Sequence, residues 1–207
     1  MYEISENESE KVIELYMEAF SDYPKLMGVF PKNETRKSAL EATLRFYCAY
    51  DLHFGKGLAL DENINEAVLF VHSDEMHYTQ ERHAAAGSFS KEYVSAVDRL
   101  SVKDRSLRLD LFDELDKMEE ALDIPEPHLY VDFLGVLPEK QKQGRGHELM
   151  KAVIDIADRQ HLPVMLFTNT PEDVAFYESL GFRCIGHTVS EKFKFDNTYL
   201  IRNRNGI

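Results

Sequence analysis

A chain of 207 residues with 24 basic and 37 acidic side chains, a formal charge of −13, is sized for one α/β domain and charged against nucleic acid. Its two cysteines, Cys48 and Cys184, sit in apolar stretches outside any CxxC or Cys/His cluster, which excludes a disulfide framework or zinc site and reads both as reduced core residues. The start, Met1 to Glu10, is acidic and polar without a signal-peptide pattern, and no apolar run reaches membrane-spanning length, so a cytoplasmic protein with no membrane partner is expected. The excess acid either serves solubility or draws cationic small molecules and basic peptides.

Tyr2 to Ser5 reads as a first strand, and Val12, Ile13, Tyr16 and Phe20 set a helical spacing over Glu6 to Phe20. A loop carrying Asp22, Pro24, Gly28 and Pro31 leads to a second helix, about Thr35 to Tyr50. Gly57 to Leu60 and Ala67 to His72 read as two strands joined through Asp61 to Asn65. From Glu75 to Pro127 the chain is rich in helix formers. Tyr93, Val97 and Leu100, then Leu107, Leu111, Leu115, Met118 and Leu122, predict two helices.

The run HLYVDFLGV from His128, bounded by Pro127 and Pro138, reads as a central strand. It feeds Gln141-Lys142-Gln143-Gly144-Arg145-Gly146 and then a helix whose Leu149, Met150, Val153, Ile154 and Ala157 form one apolar stripe. Glycines before a helix allow an anion to approach free N–H groups at the positive end of the helix dipole, although a plain structural turn has the same look. A nucleoside-triphosphatase loop would need Lys-Ser/Thr after Gly146, where His147 and Glu148 stand. A dinucleotide fold would need a third glycine, which this helix lacks. Pro163 to Thr168 reads as another strand, followed by a short helix ending at Leu180-Gly181 and a strand from Phe182 to Gly186.

Gln141, Gly144, Gly146, Tyr177, Gly181 and Phe182, with the segments LPVMLFT and AFYESLGF, give this stretch a close resemblance to the GCN5-related N-acetyltransferases (GNAT), nearest to the puromycin acetyltransferase-like branch. The resemblance covers Pro127 to His187 well and is looser upstream, in Ala19-Phe20 through Phe30-Pro31 and in Gly57 to Val71. It implies an α/β GNAT fold with a mixed central sheet of about six to seven strands flanked by helices. It further implies a single domain over 1–207, with a helical insertion at about 75–127 between the third and fourth strands and an acetyl-CoA-binding core at about 128–187. Acetyl-CoA is then the cosubstrate and no metal is needed. Pantetheine would run along Leu134, Gly135 and Val136, with the Leu134 N–H near the thioester oxygen. The pyrophosphate would lie on N–H groups of Lys142, Gln143, Gly144, Arg145, Gly146 and His147, with Arg145 adding charge at the rim. Tyr177 falls where the family places the hydroxyl that protonates the departing thiolate. A tyrosine between Phe176 and Phe182 also fits a core role.

Two positions depart from that pattern: Thr170 stands seven residues before Tyr177 in place of a common asparagine, for which Asn169 is the nearest substitute, and Phe167 replaces a frequent acid. An attacking amine must lose a proton. Asp132, two residues before Leu134 and so expected on the same strand face, is the first candidate base, with His128 second and Tyr130 on that face too. A purely structural ion pair is the other reading of Asp132. His77, His83, His147 and His187 lack metal-ligand spacing. The insertion helices either cover the acceptor cleft, form a homodimer interface or enlarge the core. Acetylation of a primary amine on a small molecule leads, with peptide or protein N-acetylation and a noncatalytic CoA-binding module as alternatives.

Overall fold

The computed structural model describes residues 1–23, 29–31, 33–120, 122 and 124–203. Pro24 and Gly28 of the expected first loop lie outside them. The elements are β1 (Tyr2–Ile4), α1 (Ser9–Ala19), α2 (Glu34–Phe54), β2 (Lys56–Ala59), β3 (Glu66–His72), α3 (Gln80–Ala85), α4 (Lys91–Asp98) and α5 (Val102–Glu120). They continue with β4 (Leu129–Val136), α6 (Arg145–Gln160), β5 (Val164–Thr168), α7 (Pro171–Ser179), β6 (Arg183–Ser190) and β7 (Phe195–Arg202). The strands form one mixed seven-stranded sheet in the order β1-β2-β3-β4-β5-β7-β6. Among the described residues no helix is long and apolar enough to cross a membrane.

Apolar residues repeating every three or four positions put one face of each major helix on the sheet. Leu149, Met150, Val153 and Ala157 of α6 pack on Val68, Phe70, Leu129, Val131 and Leu200. The opposite sheet face, with Leu69 and Phe133, receives Val12 and Tyr16 of α1 and Leu40, Leu44 and Cys48 of α2. Side-chain caps fix where helices begin. Asn33 accepts from the Thr35 N–H ahead of α2, and Thr170 accepts from the Asp173 N–H ahead of α7, with Pro171 in its first turn.

Among the described residues the insertion holds three α-helices rather than the two expected. The extra one, α3, is capped by Thr79 accepting from the Arg82 N–H and stops before Gly87 at φ 74°. Only His83 of its six residues is buried, so it carries no apolar period to read. The expected last strand runs on to Ser190, and β7 completes the sheet between β5 and β6. Cys184 is exposed rather than a core residue because β6 is an edge strand, whereas Cys48 is buried; both are free thiols.

Two irregularities of β4 shape the middle of the molecule. Its parallel register with β5 consists of Leu129↔Val164 and Tyr130↔Met165, after which the two strands part. On the other side, Leu69↔Phe133 is followed by Phe70↔Val131, leaving Asp132 as the extra residue of a β-bulge. Past the bulge the chain runs close under α1. A Cβ at Gly135 would come within 2.6 and 2.7 Å of the Tyr16 ring. Gly135→Ala is therefore expected to lower stability by about 2 kcal/mol through overpacking, read as a fall in the urea midpoint at unchanged m.

Candidate active site

The segment between β4 and α6 is built to receive an anion. Lys142 (φ 59°) and Gly144 (φ 81°) both take the left-handed conformation, and Gly144 is the N-cap of α6. The first i→i+4 bond of the helix is Glu148 N–H to Gly144 C=O at 3.1 Å, which leaves the Arg145, Gly146 and His147 N–H groups ahead of the ladder. A Cβ on Gly144 would meet nothing within 4 Å, so the space over the loop is open. These groups suit a pyrophosphate at the positive end of the helix dipole. Side chains here serve other ends. Gln143 Nε2 donates back to Glu139 O at 3.1 Å, Gln141 Nε2 to Val136 O at 3.1 Å, and His147 Nε2 meets Ser179 Oγ at 3.1 Å. Arg145, expected to lend charge at the rim, is held by the fully buried Glu66 carboxylate, with Asp61 at 3.7 Å. Its guanidinium compensates a buried charge, so the loop offers chiefly its backbone.

Where β4 parts from β5, the β4 edge from Val131 onward has no strand partner on that side among the described residues. Unpaired strand groups bordering a cleft can accept an extended amide chain, as pantetheine is. The same stretch, Leu134 to Val136, lines the cleft and leads directly to the glycine loop. The bulge corrects the sequence expectation for Asp132. Leu134 packs on the α6 side of the sheet, whereas Asp132 faces Asp51, Cys48 and Tyr47 of α2 on the other. The inserted residue reverses the alternation after Val131, so Asp132 and Leu134 do not share a face.

Tyr177 lies in the last turn of α7, which forms one wall of the cleft. It is 9% exposed, its ring edges against Phe176 at 4.9 Å and Phe182 at 5.6 Å. Burial, reinforced by Asp173 and Tyr23, pushes its pKa up, so it holds its proton at neutral pH. Beside it Tyr23 OH meets Thr168 Oγ1 at 3.0 Å and donates to Asp173 Oδ2 at 3.4 Å, and burial pushes the Tyr23 pKa up to about 12. Sequence reasoning missed Tyr23, Thr168 and Asp173, which come from three separate segments with no shared motif. Asn169, expected at the cofactor, instead donates through Nδ2 to Asp196 O and Asn197 Oδ1 and so fastens β7. Thr170 does line the cleft, as the cap of α7. His128, the second candidate base, is buried with Nδ1 against Pro125 O at 2.9 Å and lies outside the cleft lining.

These pieces line one continuous cleft of about 1570 Å³, larger than the ~300–1,000 Å³ usual for a single small ligand. The cleft carries both signs of charge. Lys140, Lys142 and Arg145 line it from the segment before and at the start of α6, Asp116, Glu119 and Glu120 from α5, Asp132 from the β4 bulge, and Glu172 and Asp173 from α7. Aromatic rings line the acidic α5 side as well: Tyr47, Tyr78, Phe112 and Tyr130, with Phe46 stacked on His83 at 3.9 Å. Burial lowers the His83 pKa to about 4, so it adds no charge at neutral pH. Arg108 locks α5 to α2 by donating to Thr43 Oγ1 at 3.1 Å and Ala42 O at 3.3 Å, with its guanidinium 4.8 Å from the Phe112 ring centre. The insertion thus supplies a wall of the site. Among the described residues no three His, Cys, Asp or Glu side chains converge as a metal site.

The geometry has counterparts among known proteins. Over nearly full length the fold is similar to a Corynebacterium glutamicum structure described as histone acetyltransferase HPA2 and related acetyltransferase, with TM-score 0.66, 15% identity, and 98% of this chain and 94% of that one covered. It is also similar to a Drosophila melanogaster polyamine N-acetyltransferase, with TM-score 0.57, 16% identity and 97% of each chain covered. An agmatine N-acetyltransferase matches with TM-score 0.56, 16% identity, and 97% and 96% covered. At these identities the likeness is one of fold. Residues 80–194 match the family model of the acetyltransferase (GNAT) domain, more than half of the chain and including most of the insertion. The chain belongs to the GNAT family of acetyl-CoA-dependent N-acetyltransferases.

Proposed function

We propose that the protein transfers the acetyl group of acetyl-CoA to a primary amine of a small cationic molecule by direct attack on the thioester. The observation that carries this reading is the lining of the cleft: backbone donors and lysines at the segment leading into α6, aromatic rings and carboxylates on the α5 side. An anionic cosubstrate and a cationic acceptor would each meet complementary groups. Acetyl-CoA supplies the activated acyl group. The glycine loop holds the pyrophosphate, the open edge of β4 aligns the pantetheine, and the Leu134 N–H polarises the carbonyl. Asp132, on the β4 bulge, takes the proton of the attacking amine. Tyr177 gives its proton to the sulfur as the C–S bond breaks.

A small acceptor is favoured because the rings of Tyr47, Tyr78 and Phe112 and the carboxylates of Asp116, Glu119 and Glu120 line the cleft together, a setting suited to a compact cation. CoA thiol release should be followed with acetyl-CoA and a panel of diamines, polyamines, aminoglycosides, puromycin and peptides. We expect release that depends on a cationic small amine and whose kcat/KM falls as ionic strength rises, because screening weakens attraction to Asp116, Glu119 and Glu120. Release confined to peptides would move the assignment to the second acceptor class. Acetyl-CoA binding with no release on any acceptor would contradict catalysis.

A further inference from the structure

Asp51 stands out among the buried groups. It lies on the inner face of α2, is fully buried, and neither carboxylate oxygen receives a hydrogen bond from an N–H or O–H donor. An isolated carboxylate in such a place costs several kcal/mol, on the order of what protonating it avoids. The neighbour within hydrogen-bonding reach is the Asp132 carboxyl, on the β4 bulge between Asp51 and the cleft. Two carboxylates in contact cannot both be ionised without strong repulsion, and one shared proton turns that repulsion into a hydrogen bond. Asp132 is the half that borders the cleft, so charge is better solvated there and the proton belongs on Asp51.

We propose that Asp51 is a protonated carboxylic acid that donates a hydrogen bond to the Asp132 carboxylate, keeping it ionised and aimed as the proton acceptor for the amine. Asp51 is thus a positioning residue acting through Asp132, and its role in turnover rests on the reading of Asp132 above. When the C–N bond forms, the proton leaving nitrogen goes to Asp132, and the pair then holds two protons until water removes one. Burial raises the Asp51 pKa, reinforced by the charge of Asp132. The groups facing the pair do not compete for the charge. Tyr16 from α1, Tyr47 and Cys48 from α2, Tyr78 ahead of α3 and Tyr130 of β4 are all shifted upward, chiefly by burial, and stay neutral. Beyond them lie Arg108 and Asp116 toward Tyr47 and Glu119 toward Tyr78.

Carbon-13 carboxyl NMR of aspartate-labelled protein tests this without an acceptor. At pH 7 the wild type should show a protonated carboxyl resonance that vanishes in Asp51→Asn and persists, shifted, in Asp132→Asn. The ionised resonance lost in Asp132→Asn should titrate near its wild-type midpoint in Asp51→Asn, whose amide still donates. In Asp51→Leu, which cannot donate, that midpoint should rise by about one pH unit, a tenfold change in proton affinity. With an acceptor that the wild type turns over, kcat at pH 7 should fall in Asp51→Leu and largely survive in Asp51→Asn, at unchanged acetyl-CoA affinity. No protonated carboxyl at pH 7, or an Asp132 midpoint indifferent to residue 51, would overturn the pairing. If Asp51→Leu does not fold, the wild-type and Asp51→Asn spectra decide alone. Intact pairing with no loss on Asp132→Asn would instead reject Asp132 as base while leaving the pair in place.

Discussion

Replacing Tyr177 with Phe should lower kcat by about a hundredfold, the lower end of general acid–base contributions, and leave acetyl-CoA affinity within about twofold. The change removes one hydroxyl and keeps the ring that packs on Phe176 and Phe182, so the α7 wall should stand. The lower end is the appropriate one because a thiolate leaves without help more readily than an alkoxide. Burial and the neighbouring Asp173 carboxyl raise the Tyr177 pKa, so the phenol is fully protonated below its ordinary value. A basic limb in the wild-type pH–rate profile between pH 7 and pH 10 would therefore belong to another group. Steady-state kinetics with calorimetric binding separates the two parameters. Unchanged kcat would return Tyr177 to a packing role.

Gly144→Asp should weaken acetyl-CoA binding by about a hundredfold or more, about 3 kcal/mol. Two effects add. The backbone at φ 81° disfavours a side chain by about 1 kcal/mol, and the carboxylate would occupy the open space above the helix end where a pyrophosphate is expected. Because nothing lies within 4 Å of an added Cβ, the variant should still fold. Gly144→Ala separates the terms, carrying the strain without the charge and so losing about tenfold or less. Equal losses in both variants would make the loop geometry, rather than anion binding, the role of this glycine.

What was legible in the sequence was what is local. The run from β4 through the glycine loop to α6 keeps its order and boundaries because strand, turn and amphipathic helix each have a short-range signature, and the family motifs fall within it. The long periodic helix α5 could be read, and the six-residue α3 with one buried side chain could not. The side on which Asp132 projects was misjudged because a bulge changes parity without any residue type that marks it. Asp51 and the ring of Tyr47, Tyr78 and Phe112 come from α2 and the insertion, which meet β4 only through tertiary packing. Asn169 was one residue from a motif position. In the structure that step turns it toward β7 and gives the cleft to Thr170.

The central claim, that the cosubstrate lies along the open edge of β4 with its phosphates on the loop before α6, is tested most directly by amide hydrogen exchange with and without acetyl-CoA. The account predicts protection gained at Leu134 to Val136 and at Lys142 to His147, with little change in β1 or β6. Binding whose protection maps elsewhere, or no binding by folded protein, would contradict it.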